Sequence, residues 1–265
     1  MKNTTISNIA LVTGAASGLG YELALLLAKD KYELILVDID AEKLESAKEN
    51  IENEFGSKIT LLVKDLSTQG IAQEIFEEIE EIPISVLINN AGFGIFGTFS
   101  NTDWQRESDM LHLHIMTTTH LTKLLLKGMV ERGRGKILNM SSLAAFQPGP
   151  LMSLYYASKA YILSFSEAIA NELKGTGVTV TALCPGQTKT CFQEVVSEGT
   201  VDNKISFNVA CPREVAAYGY KAMLKGKTVA IPGIFNKFLS KLPRFISRNT
   251  TTAIVRKIQE KNRED

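Results

Sequence analysis

Short, almost wholly apolar runs alternate along the chain with longer stretches in which apolar residues recur every three or four positions. NIALVTG, YELILVD, KITLLVKD, ISVLINNAG, GKILNMSS, GVTVTALCPG and KTVAIPG predict seven strands. GYELALLLAKD, AEKLESAKENIENEF and GIAQEIFEEIEE predict helices, as do residues 103–132, 153–174 and 213–224. Strands apolar on both faces belong in a sheet covered on both sides. Alternation at this spacing implies parallel strands joined by right-handed crossovers. The expected fold is α/β: a doubly wound parallel sheet of the Rossmann type, in a three-layer α/β/α sandwich. No repeat, low-complexity tract or Pro/Ser-rich linker interrupts the pattern. A single domain is expected over residues 1–236, with a substrate loop at about 188–212 and a basic amphipathic extension over 237–265.

Composition narrows the function classes. With 265 residues, 45% of them hydrophobic, the chain can bury a large core. Its formal net charge is zero, which argues against a nucleic-acid partner. Cys184, Cys191 and Cys211 form no CxxC pair and no metal-ligand spacing, and their odd number fits a reducing compartment. The opening MKNTTISNIALVTG is not a secretory signal, because its apolar run is short and leads straight into glycine. No stretch has the length of a membrane span. A soluble, cytoplasmic protein is the expectation.

TGAASGLG follows the first strand and opens the first helix. Gly14, Gly18 and Gly20, with Ser17 and Leu19 between them, supply a tight turn and close backbone approach at a helix N-terminus. Free N–H groups and a positive dipole end there suit a pyrophosphate. The strand–turn–helix context makes this a candidate dinucleotide site. Asp38 ends the second strand, eighteen residues beyond Gly20. A carboxylate there accepts bonds from ribose hydroxyls and repels a 2′-phosphate, so NAD(H) is expected over NADP(H). No arginine or lysine adjoins Asp38 in sequence. Asp40 and Glu42 remain alternatives for the same role.

Ser142 lies at the carboxyl end of the fifth predicted strand, the edge where doubly wound sheets bind ligands. Tyr155 and Lys159 are four apart and share a helix face, while Tyr156 points about 100° away. An ammonium beside a phenol favours the phenolate and lowers its pKa. Ser142 would hold a substrate oxygen, Tyr155 would exchange a proton with it, and Lys159 would tune the phenol and bind a cofactor ribose. These roles suit hydride transfer at a carbonyl or alcohol carbon.

With TGAASGLG, Asp65 in KDLS, NNAG at 89–92, Ser142, Tyr155, Lys159 and PGQTKT at 185–190 all in order, the chain resembles the short-chain dehydrogenase/reductase family from about residue 8 to 233. The resemblance implies that Asp65 and Leu66 contact the adenine and that Asn90 holds the central strand. It implies that Ala91 and Gly92 line the cofactor cleft. Pro185, Gly186, Thr188 and Thr190 would lie along the nicotinamide side. It also implies a homodimer or homotetramer built through the long helices. One departure stands out: within LHLHIM, His114 takes the place where the family usually has an asparagine whose side chain, or a local helix kink there, helps hold a water linked to the catalytic lysine. A histidine can donate and accept hydrogen bonds, and can titrate near neutral pH. His112 and His114, two apart on a helix, face different directions, and no carboxylate or cysteine is placed to complete a shell with them or His120, so no metal is expected.

The segment after Thr190 carries Phe192, Val195, Val196, Ile205 and Phe207, which suggests a partly apolar substrate pocket. From Lys237 to Asp265 the chain has eight Lys/Arg and three Asp/Glu. Interleaved with Phe238, Leu239, Leu242, Phe245 and Ile246, these bases leave three readings open. The segment is an interfacial helix on anionic lipid, a docking face for another subunit, or a cover over the substrate cleft. A plain solvated face is the default against the membrane reading. The leading expectation is an NAD(P)-dependent oxidoreductase acting on a small or medium alcohol/carbonyl pair. The alternatives are an NAD(H)-binding regulator with little turnover and an NAD-dependent epimerase or dehydratase.

Overall fold

A computed structural model describes residues 8–80, 82–189 and 209–261. Thr190, Cys191 and the apolar residues of the expected substrate loop therefore lie outside the described residues, as does most of that loop.

The strands are β1 (Ile9–Thr13), β2 (Glu33–Asp38), β3 (Ile59–Val63), β4 (Val86–Asn89), β5 (Gly135–Met140), β6 (Val178–Leu183) and β7 (Val229–Ala230). All pair in parallel, in the order β3-β2-β1-β4-β5-β6-β7. The order reverses between β1 and β4, and this is where a doubly wound sheet opens a crevice at its carboxyl edge. The predicted seventh strand shrinks to two residues, because Pro232 follows Ala230 directly after Ile231 and lacks the N–H a longer ladder needs.

The helices are α1 (Gly18–Lys29), α2 (Ala41–Phe55), α3 (Ile71–Glu78), α4 (Trp104–Leu111), α5 (Thr118–Glu131), α6 (Ser153–Glu172), α7 (Pro212–Leu224), α8 (Ile234–Lys241) and α9 (Arg248–Lys261). Their ends follow local chemistry. Asp40 caps α2 by accepting from the Lys43 N–H, and Gly56 ends it in the left-handed region. Asp103 caps α4 through the Arg106 N–H, and Pro212 opens α7.

Side chains alternate across β1, and each face meets its own core. Ala10 and Val12 pack with Leu23, Leu27, Leu44, Ile51 and Val215 from α1, α2 and α7. Leu11 packs on the other face with Ile71, Ile75, Leu121, Leu125 and Leu173. These two cores define the three layers.

Candidate active site

The predicted helix over 103–132 is interrupted. Between α4 and α5 the backbone widens into a π-helical turn, His112–Thr117. Such a turn inserts an extra residue and re-aims the side chains it carries. It turns His114 into the interior, toward α6 and β4.

A cleft of about 630 Å³ runs along the carboxyl edge of the sheet. At one end lie Gly14, Ser17, Gly18, Leu19, Asp38, Asp65 and Leu66; Asn90, Ala91 and Gly92 form its floor. Ser142, Tyr155, Lys159, Pro185, Gly186 and Thr188 line the other end. The sheet thus gathers groups from nearly the whole length of the chain onto one surface.

The glycine turn is held from behind by residues that sequence reading passed over or only partly used. Thr13 Oγ donates to the Ile88 carbonyl and accepts from the N–H groups of Asn90 and Ala91. Asn90 Nδ2 donates to the carbonyls of Thr13 and Gly14, at 3.1 and 2.9 Å. Gly14 has φ +64°, and a Cβ there would stand 2.8 Å from Ala91 Cα. A Cβ on Gly20 would collide with the Gly14 carbonyl oxygen. The Ser17 side chain makes no capping bond to α1, and the first turn of α1 has no acidic residue. A cradle that closes against any side chain, ending in uncapped helical N–H groups, fits a nicotinamide dinucleotide.

Asp38 has two duties. Its Oδ2 accepts from the Ala16 N–H at 2.9 Å, pinning the glycine turn, while the residue also lines the cleft. Asp40 is instead committed to Lys43, by an N-cap bond and an ion pair of 2.8 Å, and neither it nor Glu42 lines the cleft. The expectation that no base adjoins Asp38 holds in sequence but not in space. Lys64 follows the paired strand β3, donates its N–H to the Asp38 carbonyl, and lines the cleft. Its ammonium is taken by Glu74 and Glu78 of α3.

At the catalytic end, Tyr155 and Lys159 do share a face of α6, but their coupling differs from expectation. Lys159 Nζ donates to the Met140 carbonyl at 3.0 Å and lies 5.6 Å from the centroid of the Tyr155 ring, against its face. Burial therefore dominates both groups. It pushes the Tyr155 phenol well above its ordinary value, with the Ser142 hydroxyl pulling weakly the other way. It draws the Lys159 ammonium down to about 8. The phenol is thus not acidified by its neighbour in this state.

His114 is likewise not a group that titrates near neutrality. It is fully enclosed, and burial, then the nearby Lys159 charge, hold its imidazolium well below the usual range. Ser158 Oγ donates to the Tyr155 carbonyl at 2.8 Å, so the 2.9 Å contact with His114 Nδ1 is donated by the ring. Nε2 is then an acceptor, with no hydrogen-bond partner among the described residues. It faces Gly92 and Lys159. Among the described residues, no group of three or more His, Cys, Asp or Glu side chains is placed to hold a metal ion.

Comparison with known proteins agrees with this geometry. A family model described as short chain dehydrogenase matches residues 8–201. The chain belongs to the short-chain dehydrogenase/reductase family. Among relatives, the ketoacyl reductase HetN of Nostoc sp. is 32% identical over 234 residues, covering 86% of this chain and 79% of HetN. The 17-beta-hydroxysteroid dehydrogenase type 3 of Mus musculus is 34% identical over 178 residues, 66% of this chain. That match spans only 58% of the mouse protein's own length. Among solved structures, a short-chain dehydrogenase from Sphingobium yanoikuyae in complex with NADPH superposes with TM-score 0.79 at 26% identity, covering 91% of this chain and 96% of that one. Family motifs thus account for both ends of the cleft. They do not account for Tyr156, whose hydroxyl meets Gln259 Nε2 of α9 at 2.8 Å, with both residues in the cleft wall. The adjacent tyrosines were a visible signal, but nothing in sequence paired the second with a residue 103 positions away.

Proposed function

We infer that the protein transfers a hydride between NAD(H) and a carbonyl/alcohol carbon carried on a bulky, mainly apolar substrate. One observation carries this reading: Ser142, Tyr155 and Lys159 converge at one end of a cleft whose other end is the glycine cradle and Asp38. When bound, the nicotinamide supplies or accepts the hydride. Gly14, Gly18 and the start of α1 would hold its pyrophosphate, Asp38 an adenosine ribose, and Lys159 the second ribose. Ser142 would position the substrate oxygen. Tyr155, kept protonated by burial, would give that oxygen its proton in the reductive direction. Leu143, Met152, Phe93 and Tyr156 line the space beyond it, which favours a large apolar substituent over a small alcohol. The names of the relatives, a ketoacyl reductase and a hydroxysteroid dehydrogenase, lie in the same direction.

Preference for NAD(H) rests on the Asp38 carboxylate and on the engagement of Lys64 by two glutamates. Turnover of β-ketoacyl thioesters, ketosteroids and small ketones with NADH and NADPH is the test. Oxidation of NADH by a bulky ketone, abolished in Tyr155→Phe, supports the reading. Tight NADH binding with no turnover of any substrate, unaltered by Tyr155→Phe, would favour a dinucleotide-binding regulator instead.

A further inference from the structure

Helix α8 is turned inside out. Its buried face consists of Asn236 and Ser240, at 7% and 6% exposure. Asn236 lies against Gly186 of the cleft wall and donates to the Pro232 carbonyl, while Ser240 Oγ donates to the Lys237 carbonyl. The outward face carries Ile234 at 86%, Phe238 at 61% and the half-exposed Phe235. A helix on a water-facing surface normally has the opposite orientation, with its apolar stripe inward. The anomaly continues along the chain. Phe245 is 84% exposed, and α9 turns Thr251 and Val255 inward while Ile254 and Ile258 face out.

Charge accompanies this apolar face. Lys237, Lys241, Arg244, Arg248, Lys257 and Lys261 are all exposed along the same segment. Its one described acid, Glu260, is occupied by Arg256. The whole chain has zero net charge, so this basic strip is a local concentration rather than a general property. Exposed aromatic and aliphatic side chains interleaved with bases are the pattern of an interfacial segment lying on anionic lipid. No described helix is long and apolar enough to cross a membrane.

We propose that α8, the turn after it and α9 dock the protein on an anionic membrane surface, with Ile234, Phe238 and Phe245 inserted among the acyl chains and the lysines and arginines on the headgroups. The geometry gives the docking a use. α8 packs on the turn Leu143–Phe146 that follows Ser142, and Gln259 of α9 lines the cleft. The segment that meets lipid therefore also supplies part of the cleft wall, and docking would hold the cleft close to a membrane-dissolved substrate. That delivery role rests on the function inferred above; the docking itself does not.

The test is co-sedimentation of the full chain with vesicles of phosphatidylcholine alone and of phosphatidylcholine with phosphatidylserine. Binding to the anionic vesicles is expected, weakened at high salt, and with each basic residue replaced by glutamine costing about fivefold in affinity. The variant Ile234→Ser/Phe238→Ser/Phe245→Ser should lose binding by more than tenfold while keeping the wild-type melting temperature and circular dichroism spectrum. Failure to sediment with anionic vesicles overturns the proposal. So does equal binding by the triple variant, or a wild-type dimer in solution that the triple variant dissociates, since the face would then belong to a second copy. None of these readouts depends on turnover, so a failure of the oxidoreductase reading would appear separately.

Discussion

Burial acts on Tyr155 and Lys159 in opposite directions, and both shifts favour uncharged side chains. The phenol therefore keeps its proton across the physiological range, and in the proposed reaction its removal takes away the acid but not the cradle. Tyr155→Phe should lower kcat by about 10²–10⁴-fold and leave the NADH dissociation constant within a factor of two, as read by steady-state kinetics and fluorescence titration. The folded-state value of Lys159, about 8, lies below the ordinary 10.5, so the unfolded chain binds that proton more tightly. The Lys159 contribution to the stability of the cofactor-free protein should rise between about pH 8 and 9.5, by roughly 2 kcal/mol, and be flat below that window, with the buried Cys184 thiol working the other way from about pH 9. Urea unfolding across this range checks it, and Lys159→Met should abolish the rise. The Ser–Tyr–Lys spacing was legible in the sequence because a helix fixes which residues share a face. The direction of the phenol's shift was not, because it is set by burial, which only the folded packing shows.

Elements differ in how much they disclose. The buried strands and amphipathic helices announce themselves by composition, and the glycine turn by its place between β1 and α1. Gly20→Ala should cost about 1–3 kcal/mol, since a Cβ would drive into the backbone of the same turn, and should weaken NADH binding more than tenfold. Thermal melting and cofactor titration would show both effects together; a stable Gly20→Ala protein with full affinity would contradict the cradle. The π-helical turn at His112–Thr117 has no such signature. LHLHIM reads as ordinary helix, and only packing against α6 shows why His114 is turned inward. The C-terminal helices were legible as basic and amphipathic, but which of their faces points inward was not. Polar Asn236 packs against Gly186 and donates to the Pro232 carbonyl, and Ser240 donates to the Lys237 carbonyl, so both are satisfied while facing inward.

Across the whole molecule, the adenosine end of the cleft brings together a carboxylate on β2 and a lysine beyond β3, which no linear reading places side by side. NADH should bind at least tenfold more tightly than NADPH, and Asp38→Asn should narrow that ratio. Freeing Lys64 by Glu74→Gln with Glu78→Gln should raise NADPH affinity several-fold, because an unpaired ammonium could then meet a 2′-phosphate. Isothermal titration with both dinucleotides decides this, and a wild-type preference for NADPH would refute the role given to Asp38. At the opposite end, Gln259→Ala should raise KM for a bulky ketone with kcat unchanged, the sign of a contact made equally in ground and transition states.

The bond between Tyr156 and Gln259 also sets an order on folding. The seven described strands all precede α9, so the sheet can close before that helix joins it. The wall behind Tyr156 is completed only when α9 docks. A chain cut before α9 would hold a finished scaffold around an unfinished chamber.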